Sequence, residues 1–179
     1  MRKKDFETFL EKQASEDKRN KTIDWTKETQ DWLGQIDEFY RTVLGWLKEY
    51  VDEGRIQILF DPTTLNEEYI GSYETQRLLL RMASHEVVFA PIGTLLVGAR
   101  GRIDMTGIAG TVRFVLVDKE MAGMSITVRE STDKDAQGTG KDKKQINWMW
   151  KISTPPPSIN LIELNAESFF DSLLQIMNT

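Results

Sequence analysis

From Trp32 to Val51, apolar side chains return every three or four positions: Trp32, Leu33, Ile36, Phe39, Tyr40, Val43, Leu44, Trp46, Leu47, Tyr50 and Val51. That spacing gathers them on one broad stripe of an α-helix. The stretch from Trp25 to Glu53 is therefore predicted as one helix of about 28 residues, roughly 42 Å long. Asp24 or Thr26 can cap its start by accepting a backbone N–H, and Gly54 can stop it. Gly34 and Gly45 lie inside it at about 1 kcal/mol each relative to Ala, so each is a candidate kink or close-packing point. Upstream, residues 5–20 hold Phe6, Phe9 and Leu10 and then almost nothing to bury, which reads as a short or frayed helix followed by a polar link.

Past Gly54 the period changes from helical to alternating. Arg55–Phe60 reads as a strand with Asp61-Pro62 as its turn. Residues 63–75 admit two readings. Thr64 to Glu67 fits a capping box, whereas Tyr69 to Tyr73 alternates like a strand. Gln76–Met82 and Glu86–Ala90 read as strands around Ser84-His85. Thr94–Asp118 reads as a long hairpin turning at Gly107–Gly110. Pairing Ile103 with Phe114, Met105 with Val112 and Gly101 with Leu116 collects one apolar face. The other face then carries Arg100, Arg102 and Asp104 opposite Val117, Val115 and Arg113, with Asp104 and Arg113 as an oppositely charged cross-strand pair.

Ser125–Glu130 and Ile146–Ile152 predict a further strand pair, with Trp148 and Trp150 on its core face. Between them, residues 131–145 contain nothing apolar but Ala136 and read as a mobile surface loop. Thr154–Ser158, with three prolines in a row, reads as a stiff extended connector. A closing helix capped by Asn165 would bury Phe169, Phe170, Leu173, Leu174, Ile176 and Met177.

Strands in succession joined by short turns make an antiparallel meander. The expected fold is α+β: a meander sheet of about six to nine strands, with a long N-terminal helix and a short C-terminal helix packed on it. Residues 1–24 are expected to form a helical and polar extension, and residues 25–179 a single domain.

Composition narrows the chemistry. The chain has 179 residues, a formal net charge of −5 and no cysteine. Disulfides, thiolate metal sites and a cysteine nucleophile are thereby excluded. An acidic balance does not favour nucleic acid, whose binding rests on cations displacing counterions. Met1-Arg2-Lys3-Lys4 is followed at once by Asp5, Glu7 and Glu11 rather than by an apolar segment, so no signal peptide is expected. No apolar run reaches the roughly 18 residues of a membrane span. The expected location is the cytoplasm.

Motif chemistry is sparse. His85 is the single histidine and sits in an expected turn, so neither a zinc site nor a general base is expected there. Gly98, Gly101, Gly107 and Gly110 lack the spacing of a phosphate loop and suit bulges or close backbone approach. No cofactor and no metal is expected, and the sequence points away from an enzyme without excluding one. Six of the seven Lys and Arg residues between Ile56 and Glu130 are Arg. Arg100, Arg102 and Arg113 are therefore the candidate anion-binding patch, because a guanidinium grips carboxylate or phosphate with a planar fork. The aromatic stripe of the long helix, with Trp32, Phe39 and Trp46, is the candidate protein contact. The leading functional expectation is a non-enzymatic interaction module with a protein partner or a second copy of itself. The alternative is a protein or enzyme acting on an anionic small molecule, and the third is a local nucleic-acid binder.

Overall fold

The structure, a computed structural model, describes residues 2–22, 24–94, 99–120 and 147–178. Two helices open the chain: α1, Arg2–Thr22, and α2, Trp25–Asp52. Among the described residues seven strands follow: β1 Gln57–Glu67, β2 Gly71–Met82, β3 His85–Gly93, β4 Gly101–Gly107, β5 Gly110–Asp118, β6 Trp148–Ser153 and β7 Leu161–Glu163. Helix α3, Ala166–Met177, closes the described chain. Every neighbouring pair of strands is antiparallel and the spatial order repeats the sequence order. The α+β meander expected from the alternation is the observed fold.

The β4–β5 hairpin has the register read from its two alternating sequences, from Gly101 opposite Leu116 to Gly107 opposite Gly110. One sheet face presents Leu78, Leu80, Val87, Phe89, Ile103, Met105, Phe114 and Leu116 to the helices. Helix α2 answers with Trp32, Ile36, Phe39, Tyr40, Val43 and Leu47, and α3 with Phe169, Leu173 and Ile176, so both helices share one core. Aromatic rings dominate its centre. The Phe39 ring lies 5.0 Å from that of Phe114 and 4.9 Å from that of Trp150. Phe89 stacks on Phe169 at 6.3 Å, which binds α3 to the same layer.

Local chemistry sets the element ends. The Asp24 side chain accepts from Lys27 N at 3.2 Å, and Gly54 adopts φ +72 just beyond α2. Asn165 and Ser168 form a reciprocal capping box at the start of α3. Gly101 has a different role. A Cβ there would overlap the Trp32 ring, so glycine is what lets α2 lie this close to β4. Nothing lies within 4 Å of the corresponding positions at Gly34 and Gly45, so close packing does not explain either helix glycine.

Several boundaries differ from expectation. Residues Arg2–Thr22 form one continuous helix rather than a short one with a polar link. Asp61-Pro62 is no turn, since β1 runs through it as the first strand of the sheet, and an edge strand tolerates a missing N–H. Residues 63–75 resolve as strand, with the turn at 68–70 and no helix at Thr64–Glu67. The β2–β3 turn is Ala83-Ser84, and His85 already belongs to β3. Thr154–Ser158 is not an extended connector. Thr154 N donates to Asn160 O at 3.0 Å and Asn160 N donates to Thr154 Oγ1 at 2.7 Å, which turns the chain back into β7. In α3, Leu174 faces solvent and Ser172 is buried in its place. The expected strand Ser125–Glu130 and the expected loop 131–145 lie outside the described residues.

Candidate functional site

The three candidate arginines do not form one patch. The β4–β5 pairing ends at Gly101, one residue short of Arg100. Arg100 instead reaches the start of α2, where its Nη2 lies 2.8 Å from Glu28 Oε2 and 3.4 Å from Asp31 Oδ2. Its guanidinium also covers the Trp148 ring at 4.9 Å. Arg100 is thus a clamp between the sheet and α2. Arg102 donates to Asp104 through both Nε and Nη2 at 2.7 Å, and this paired hydrogen bonding holds its pKa above the ordinary arginine value. Arg113 is cross-strand to Asp104, but that carboxylate is engaged by Arg102. Among the described residues Arg113 has no ion-pair partner. The true cross-strand ion pairs, Asp61–Arg77 and Arg81–Glu86, lie on β1, β2 and β3.

The aromatic candidates of α2 are also engaged within the chain. Trp32 is 0% and Phe39 1% exposed, which leaves neither any surface for a partner. Trp46 is half-buried against the Phe169 ring at 5.4 Å. His85 is exposed beside Ser84. Among the described residues no three His, Asp or Glu side chains converge on a metal-sized site. Among them also, no helix is long and apolar enough to cross a membrane.

Among the described residues, two surfaces carry features that the core does not need. The first is α1. Phe6, Phe9 and Leu10 are 59%, 54% and 48% exposed, and they share one helix face at steps of three and four. None of the α1 side chains described is buried. The hydrophobic triplet was visible in the sequence, but its exposure was not, because the same triplet could equally have docked on the sheet.

The second is where α2 begins. The Trp32 indole donates to Tyr73 Oη at 3.0 Å, and Tyr73 in turn donates to Glu67. Thr94 donates to the same carboxylate from N at 3.0 Å and from Oγ1 at 2.7 Å. This relay ties α2, the β1–β2 hairpin and the end of β3 together. Burial, and then the adjoining Glu67, push the Tyr73 hydroxyl pKa well above the usual tyrosine value. Beside the relay, the Trp25 ring stacks on Tyr69 at 5.9 Å and 12°. An open cleft of about 260 Å³ lies between the first two turns of α2 and the β1–β2 turn, with Trp25, Thr26, Gln30, Ile70, Ser72 and Tyr73 in its lining. No sequence motif marks it, because its walls come from stretches far apart in the chain.

Comparison with protein-family models, with curated proteins and with solved structures finds no match to this chain.

Proposed function

We propose that the chain is a non-enzymatic protein-interaction module, with α1 as its docking element and the helix-covered sheet as its scaffold. The observation that carries this reading is the exposure of Phe6, Phe9 and Leu10 on one face of a helix that buries nothing described. Apolar anchors at i, i+3 and i+4 are the form in which a helix fills an apolar groove on another protein. Large side chains left in water carry a free-energy incentive of about 1.5–3 kcal/mol each if fully buried. On α2 the corresponding large residues Trp32 and Phe39 are closed in the core. The same reading places the module in the cytoplasm, in keeping with its cysteine-free composition.

A photo-crosslinking residue at Gln13, one turn beyond Phe9 and Leu10, tests the proposal in the native cell. A discrete protein adduct is expected, and replacing Phe6, Phe9 and Leu10 by Ala should abolish it. Affinity for the purified partner should fall at least about tenfold in the same variant. Adducts between identical chains would assign α1 to self-association. Absence of any adduct would remove the docking role.

A further inference from the structure

The cleft at the start of α2 has a lining whose chemistry selects a ligand class. None of the side chains named in it carries a formal charge at neutral pH. A phosphate, carboxylate or ammonium group seated there would meet no counter-charge among the lining side chains named. What the cleft offers is aromatic and aliphatic surface from Trp25, Ile70 and Tyr73, together with the polar side chains of Thr26, Gln30 and Ser72. Thr26, Gln30 and Ser72 each both donate and accept hydrogen bonds. Their side chains make no hydrogen bond to another described residue.

Groups that donate and accept are well answered by hydroxyls, which do both from a single atom. Aromatic faces suit the apolar side of a ring, with the polar groups fixing its orientation. The walls are also set in advance. Tyr73 is held from both sides by Trp32 and Glu67, Trp25 lies against Tyr69, and Asp24 caps the helix that carries Thr26 and Gln30. The aromatic wall held this way loses little freedom when the site is occupied. We propose that this cleft binds one uncharged, hydroxyl-rich ring the size of a monosaccharide, either free or as the terminal unit of a neutral glycan.

The test is a titration of the ¹⁵N-labelled full chain with glucose, galactose, mannose and N-acetylglucosamine at millimolar concentrations, with glucuronate as the charged control. At least one neutral sugar should move the amide signals of Thr26, Gln30 and Ser72 in a saturable way. Gln30 is exposed, so Gln30→Ala should keep the thermal midpoint and weaken that binding about tenfold. Ser72→Ala, also at an exposed site, serves as a second variant with the same expectation. Repeating the titration with the responding sugar at the end of a neutral disaccharide separates the two sources, since a tighter response identifies a glycan terminus. The proposal is overturned if no neutral sugar perturbs these signals. It is equally overturned if both variants bind as well as the parent chain, or if glucuronate binds as tightly as its neutral counterpart.

Discussion

Helices α1 and α2 follow one another in the chain and end in opposite situations. Helix α2 repeats its apolar residues along its length, and the sheet encloses them from Trp32 to Leu47. Helix α1 is rich in Lys and Glu, which favour helix, but it concentrates its large apolar residues in a single stretch from Phe6 to Leu10. A sustained stripe gives a helix a face that can be buried over many turns, and that burial is the main source of helix stability in proteins. A short triplet cannot hold 21 residues against a sheet. It is enough to seat one or two turns in a groove, and the two proposals for function separate along the same line. In those proposals the covered helix supplies a wall of the cleft and the exposed helix supplies the docking contact.

The largest effect should come from Phe39→Ala, which empties the meeting point of Phe89, Phe114 and Trp150. A loss of about 3–5 kcal/mol is expected by urea unfolding. A loss below about 1 kcal/mol would mean that α2 is no better anchored than α1. Next is Gly101→Ala, where the new methyl meets the Trp32 ring. Overpacking of this kind costs about 1–3 kcal/mol, and a retained thermal midpoint would show that α2 can slide on the sheet.

Tyr73→Phe should cost about 1 kcal/mol, through the bonds lost to Trp32 and Glu67. It also sharpens the comparison through pH. The folded pKa of Tyr73 is raised above the unfolded value of about 10, so the native state holds its proton longer than the unfolded chain does. Stability should therefore be complete below about pH 10 and decline as pH rises beyond it. Tyr73→Phe should make that alkaline decline shallower in thermal melts, with Tyr40, also raised by burial, supplying the remainder. The smallest effect on stability belongs to Phe9→Ala in α1, expected within about 0.5 kcal/mol of the parent chain. A larger destabilisation would place α1 against the body of the protein and undo the contrast.

Legibility in the sequence followed how much each segment depends on its own neighbours. The β4–β5 register was readable because both strands alternate and glycines mark the turn between them. The same alternation misled at Arg100. It places Arg100 within the strand, whereas β4 begins at Gly101 and the Arg100 side chain turns to acids on α2 that no local pattern reveals. Pro62 resembled a turn because its suitability for an edge strand depends on what lies beside it. The three residues of β7 are too few to show any period. Residues 63–75 were ambiguous because the pattern of partial burial along β1 and β2 leaves no strongly apolar row there. The cleft escaped notice altogether, since Gln30 and Ser72 come together only when α2 docks beside the hairpin.

The order of strands in the sheet carries a consequence for how the chain is born. Among the described strands, each pairs with the one that precedes it in the chain, so the meander can grow by successive additions as the polypeptide leaves the ribosome. Helix α2 has no such convenience. It emerges before any strand, yet Phe39 rests on Phe114 of β5 and Trp150 of β6. Its aromatic stripe therefore waits in the open while most of the sheet is being translated. The time needed to synthesise the segment from β1 to β6 sets how long the nascent chain is adhesive, and that interval is when a chaperone would have the most to hold.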